Sequence, residues 1–190
     1  LNNWNTSSVT TMREMFYQCS DFDQDISSWN VSNVNIMYRM FYGANTFNQP
    51  LDNWDVSNVS NMYRMFYTAT SFNQPLNTWN TSSVTDMGGM FAYSPFNNNS
   101  IANWDVSNVT NMGDMFQYAN SFNQNLSSWN TSSVTNMSYM FYSAVFNQDI
   151  GSWDVSNVTN MQYMFYDNNA FNNGGSANIN NWNTSNVNNM

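Results

Sequence analysis

Histidine and lysine are absent from this 190-residue chain, and cysteine occurs once. Without histidine the usual general base and the commonest neutral metal ligand are missing. No pair of carboxylates marks a cleft and no glycine-rich loop is placed to cradle phosphate, so neither an enzyme nor a cofactor site is expected. The basic side chains are Arg13, Arg39 and Arg64, set against 12 acidic ones for a net charge of −9. Phosphate backbones and anionic membrane surfaces need clustered cations, so nucleic acid is excluded as a partner. There is no apolar run of about 18 residues, and insertion into a membrane is not expected within this segment. No basic stretch followed by an apolar one opens the chain as a signal peptide would. Cys19 has no partner for an internal disulfide. It falls where later repeats place Ala44, Ala69, Ser94, Ala119 and Ala144, and reads as a small buried side chain.

What the chain has instead is a period. Tryptophan recurs at Trp4, Trp29, Trp54, Trp79, Trp104, Trp129, Trp153 and Trp182, in five steps of 25, one of 24 and one of 29. A fixed period in this range marks an array in which each repeat buries its apolar edge against its neighbours. Residues 1–190 read as a single array of about seven and a half repeats, a stretch of a longer array whose capping segments lie outside it. With 42% apolar residues there is material for a continuous core, and with 8% charged residues the surface must be amides and hydroxyls. Length changes are confined to one place in the unit. Repeat four loses one residue before Phe96 and regains it in Asn97–Ser100, repeat six loses one before Phe146, and repeat seven gains several at Asn172–Asn178. Loops at the rim of a stack tolerate such changes, and the Gly174-Gly175 insertion is the expected flexible point.

Within the unit LDNWDVSNVSNMYRMFYTATSFNQ the apolar spacing changes. Leu51, Trp54 and Val56 suggest a short strand. Val59, Met62, Met65, Phe66 and Ala69 have the spacing of one helical face. Ser60 and its equivalents Thr10, Asn35, Thr85, Thr110, Thr135, Thr159 and Asn188 are expected to cap that helix. The predicted fold is an α/β repeat solenoid with one short parallel strand and one short helix or 3-10 turn per repeat. At a strand spacing of about 4.8 Å it would form a rod of roughly 35 Å, with tryptophan, methionine and phenylalanine facing inward in columns.

The unit V-x-x-M-x-x-M-F-x-x-A-x-x-F-N-Q-x-L/I-x-x-W-N/D resembles the BspA-type surface-protein repeat in its Trp/Met-rich, mycoplasma-type (DUF285-like) form. L-x-x-W-x-V resembles the leucine-rich-repeat strand with tryptophan at the second apolar position. The resemblance implies a leucine-rich-repeat-like fold on secreted or surface-anchored proteins used for adhesion or recognition. The chain departs from ordinary leucine-rich repeats in having few leucines and no fixed asparagine ladder.

Three repeating surfaces are candidates for function. The outward side of the supposed strands carries Asn30, Asn53, Asp55, Asn80, Asn103, Asp105, Asn130 and Asp154, suited to glycans, protein chains or ordered water. A second face carries Tyr38, Tyr42, Tyr63, Tyr67, Tyr139 and Tyr163, since rings with a polar tip are common at interfaces. Third, N-x-S/T acceptors for N-glycosylation occur at Asn5, Asn30, Asn58, Asn80, Asn108, Asn130, Asn157 and Asn183. Asp55, Asp105 and Asp154 recur on alternate turns about 10 Å apart, too far to share a metal ion. The expected function is a non-enzymatic extracellular or cell-surface adhesion module binding protein or glycan. The alternative is a structural one, copies stacked end to end into a filament, and an ice-binding face is a third reading.

Overall fold

The computed structural model describes residue 1 and residues 3–190. Among the described residues there is no α-helix and no strand. The regular segments are three 3-10 turns, Asn99–Ile101, Asn173–Gly175 and Ala177–Asn181. The expected α/β solenoid of leucine-rich-repeat type is therefore overturned. The repeats stack instead through single-residue parallel bridges in one file, Thr11 to Ile36 to Asn61 to Asp86 to Asn111 to Asn136 to Asn160 to Asn189.

The physical reason lies in where the backbone N–H groups go. In repeat three, Met62, Arg64, Phe66 and Thr68 donate to the carbonyls of Asp86, Gly88, Met90 and Ala92 in the next repeat, at 2.8–3.0 Å. The alternate residues Met65, Tyr67 and Ala69 donate three residues back within their own repeat, to Met62, Arg64 and Phe66. A helix would send every N–H to the fourth residue back. Here the segment is a run of overlapping β-turns whose free edge is sealed by the neighbour. Two residues per repeat, four apart, hold positive φ: Arg64 at 53° and Thr68 at 54° in repeat three, Asp114 at 58° and Tyr118 at 54° in repeat five. Each is the third residue of a turn, where type II geometry requires positive φ. Glycine takes that position only at Gly43 and Gly89. Turns of this kind bring Met62, Met65, Phe66 and Ala69 to the same side as a helix would, so the apolar spacing was right and the element was not.

The supposed strand fails for a similar reason. Trp54 N–H closes a turn on Leu51 and Val59 N–H closes another on Val56, leaving few donors for a ladder. With no helix, Ser60 and its equivalents cap nothing. The hydroxyls of Ser60, Thr85, Thr110, Thr135 and Thr159 donate to the backbone carbonyl of the same column in the preceding repeat, at 3.1–3.2 Å. Amide ladders, which the sequence was not expected to supply, seal two further edges. Asn58, Asn108 and Asn157 donate from Nδ2 to Ser32, Ser82 and Ser132 carbonyls. The asparagines of the Phe-Asn-Gln turn form a chain in which Asn73, Asn97, Asn123, Asn147 and Asn172 each donate a backbone N–H to Oδ1 of the preceding repeat's asparagine. These polar files satisfy backbone and side-chain groups that stacking would otherwise strand.

Inside, the expected columns are present. Leu51, Met62, Met65, Phe66, Ala69 and Phe72 are fully buried, as are their counterparts in the central repeats. Each repeat packs its two phenylalanines face to face, Phe66 and Phe72 with centroids 4.0 Å apart, and the next Phe66-type ring follows at about 5.7 Å. The buried indoles reach across the stack: Trp54, Trp79, Trp104 and Trp129 donate from Nε1 to Ile26, Leu51, Leu76 and Ile101 carbonyls at 2.9–3.2 Å. Cys19 corrects the reading of that column. It is exposed, whereas Ala44, Ala69, Ser94, Ala119 and Ala144 are buried. The insertion in repeat seven is folded into two 3-10 turns, with Asn173 buried and its Oδ1 accepting from Ile150 N–H at 2.9 Å. Trp79, 4% exposed, anchors both a ring column and an inter-repeat hydrogen bond. Trp79→Ala is expected to cost about 3–5 kcal/mol in denaturant unfolding. An unchanged midpoint would show that the tryptophans are not what joins the repeats.

Candidate binding faces

The polar face predicted from the supposed strands is present as a row of turns. Asn30, Asn80 and Asn130 accept through Oδ1 from the backbone N–H of Ser32, Ser82 and Ser132. Asp55, Asp105 and Asp154 do the same with Ser57, Ser107 and Ser156. The serine hydroxyls first, and their N–H groups second, hold these three carboxyls below the ordinary aspartate range. Asn53 and Asn103 are exposed, and among the described residues their side chains make no hydrogen bond. This row is therefore largely committed to local turn geometry. The acceptor asparagines divide likewise. All eight, Asn5, Asn30, Asn58, Asn80, Asn108, Asn130, Asn157 and Asn183, are exposed, but Asn58, Asn108 and Asn157 already use Nδ2 to bind the preceding repeat. Among the described residues no group of three or more acidic or cysteine side chains is close enough to hold a metal ion. Among the described residues no helix is long and apolar enough to cross a membrane.

The tyrosine face is more distinctive. Tyr38, Tyr42, Tyr63, Tyr67 and Tyr139 are half-buried and Tyr163 is exposed. They do not lie on one helical face but in ring columns. One column runs through seven repeats, Tyr17, Tyr42, Tyr67, Tyr93, Tyr118, Tyr142 and Tyr166, with successive centroids 4.6–5.3 Å apart. Tyr93 and Tyr118 sit one residue later in their repeats than the others, at the second positive-φ position. The column bridges both register changes by tilting, 54° between Tyr67 and Tyr93 and 58° between Tyr118 and Tyr142. A search at constant spacing overlooks Tyr93 and Tyr118. Shorter columns pair Tyr38 with Tyr63 and Tyr139 with Tyr163.

The arginines gather at one end of this face. Arg39 lies 4.9 Å over the Tyr38 ring, and Arg64 5.1 and 4.9 Å over Tyr63 and Tyr67. Arg64 also crosses repeat four to reach Asp114 of repeat five at 3.8 Å. The crossing needs Gly89, because a Cβ there would come within 2.7 Å of the Arg64 Cγ. Beneath the tyrosines a polar file runs along the bridge column, Asn136 Nδ2 to Asn111 Oδ1 and Asn111 Nδ2 to Asp86 Oδ1, both 2.9 Å. Burial raises the Asp86 carboxyl above the ordinary range, against the pull of the Gly88 N–H and the Asn111 amide. Burial likewise raises Tyr67, to about 12, with Tyr93 and Tyr42 adding to it.

The repeats thus define a turn-built, laddered repeat protein. Residues 1–99 and 93–190 each match the model of the family described as "Mycoplasma protein of unknown function, DUF285", and the chain belongs to that family. No curated protein and no solved structure matches it.

Two titrations test this geometry. Asp86 has no donor to pass to Asn61, so Asp86→Asn is expected to complete the file and raise unfolding stability at neutral pH by about 1 kcal/mol. A carboxyl with a raised folded pKa favours the fold below its unfolded value of about 4 and loses that contribution as pH rises. The gap between variant and parent should therefore close in acid, and a gap that widened there would contradict the burial of Asp86. Tyr67 has the same sign at the other end of the scale. The unfolded phenol ionises near 10 and the folded one at about 12, so stability falls as pH rises through that window. Phenolate absorbance of Tyr67→Phe against the parent should show one group missing from the late part of the titration; its loss from the early part would refute the shift.

Proposed function

We propose that the chain is a non-enzymatic recognition module of the extracellular space or cell surface, binding protein or glycan through its tyrosine column. The column itself carries this reading. The core is indifferent to whether tyrosine stands at the Tyr67-type position or one residue on, as Ala92 and Gln117 at that position attest, yet the rings stay in file across seven repeats. A half-exposed row of phenols at nearly constant intervals offers hydroxyl donors and apolar ring edges in a rigid frame, the combination that interfaces favour. The low charge of the surface, 8% of residues, fits partners recognised by hydrogen bonds rather than by ion pairs.

The test is a binding screen of the chain against glycan and extracellular-protein panels, repeated with Tyr42→Ser and Tyr67→Ser together. At least tenfold weaker binding with retained melting behaviour is expected. Undiminished binding would remove the column from the recognition surface. Particles that lengthen with concentration and bind nothing would favour the end-to-end filament instead.

A further inference from the structure

The two shortened repeats share a feature that a uniform array lacks. Repeats three, five and seven place two residues between the buried position of Ala69, Ala119 and Asn168 and the returning phenylalanine, whereas repeats four and six place one, Pro95 and Val145. The core does not register the loss. Phe91 stacks on Phe96 at 4.2 Å and Phe141 on Phe146 at 4.0 Å, against 4.0 Å in full-length repeat three. The whole effect appears at the rim, where each short loop lies between two long ones and leaves a notch. That over repeat four has a volume of about 200 Å³ and that over repeat six about 490 Å³. Tyr118 and Asn120 line both, from the intervening repeat.

We propose that the notch over repeat six is a binding site for a neutral saccharide unit. This deepens the recognition reading above and rests on it. Its floor is Ser143 and Val145, the latter 39% exposed, and its far wall is Asp167 and Asn169. The Asp167 carboxylate accepts from the Ser143 hydroxyl at 3.0 Å and from the Asn169 amide at 3.2 Å. A carboxylate has about four lone-pair sites, so it retains acceptors for sugar hydroxyls. Opposite, the Asn120 side chain is exposed and makes no hydrogen bond among the described residues. Tyr118 and Val145 provide the small apolar patch that a C–H face of a sugar covers. No cation lines the notch, which disfavours an anionic ligand, and the apolar part is too small for the large aromatic or aliphatic anchors that dominate peptide interfaces. The volume lies within the usual range for small-ligand sites, about 300–1,000 Å³. The smaller notch, two repeats away on the same rim, extends the site along an oligosaccharide.

The experiment measures binding of a panel of neutral hexose and N-acetylhexosamine oligosaccharides, with acidic and basic peptides alongside, to the parent chain and four variants. Asn169→Ala removes an amide from the wall, Ala170→Trp fills the notch from an exposed position, and Asn45→Ala alters the same rim where no notch exists. Tyr67→Ser reports on the tyrosine column. At least tenfold weaker saccharide binding in the first two, with Asn45→Ala unchanged, is expected. Unaffected binding in Asn169→Ala and Ala170→Trp overturns the notch, as does a panel in which no saccharide binds or only peptides do. If Tyr67→Ser alone weakens binding, the notch fails while the recognition reading stands. If neither saccharides nor proteins bind the parent, both fall.

Discussion

The structure depends on how each repeat divides its backbone donors. Every second N–H of the Met62–Thr68 segment crosses to the next repeat; between them Met65 and Tyr67 close turns at home and Tyr63 donates to the Asn61 side chain. Neither set alone would hold. The turns have no partner on their outer edge, and the crossing bonds need an edge that presents four carbonyls in line. Each repeat is therefore structured only when its neighbour is, which makes the array cooperative over its length. The left-handed residues are the cost of this arrangement. Arg64, Thr68 and their counterparts are mostly not glycine, and each non-glycine residue at such an angle carries about 1–2 kcal/mol of strain. Burial of a tryptophan, two methionines and two phenylalanines per repeat offsets it.

The core was legible in the sequence because inward columns follow from spacing alone. Trp54, Met62, Met65, Phe66 and Phe72 recur at intervals close to 25 residues, and they and their counterparts in the central repeats are buried. The local backbone was not legible. A series of β-turns and a helix return to the same side at nearly the same interval, and the usual sign that separates them, glycine at positive φ, is present only at Gly43 and Gly89 among the positions concerned. The polar residues misled in the same way. Ser60 and Thr85 have the chemistry of a helix cap, but use it to bind a neighbouring repeat's carbonyl. Asn58 has the pattern of a glycan acceptor and serves as a rung of a ladder. Side chains of this kind satisfy whichever backbone group is nearest, so their role depends on tertiary context.

The candidate surfaces were legible in part. Tyr42 and Tyr67 were visible as a periodic pair, but Tyr93 and Tyr118 continue their column from one position later. The core of the array is uniform, and its individuality lies at the rim: two one-residue deletions, the insertion in repeat seven, two tyrosine register changes and three arginines gathered at one end. A ligand that distinguishes one part of the array from another must read those departures, because a perfectly regular stack offers the same contacts at every turn.

The most direct test of the account is a measurement of which carbonyl each turn N–H bonds, through NMR couplings across hydrogen bonds in the isotope-labelled chain. Met62, Arg64, Phe66 and Thr68 are predicted to couple to the carbonyls of Asp86, Gly88, Met90 and Ala92. Couplings from these four amides to the fourth residue back in their own repeat would restore the helix and contradict the stacking described here.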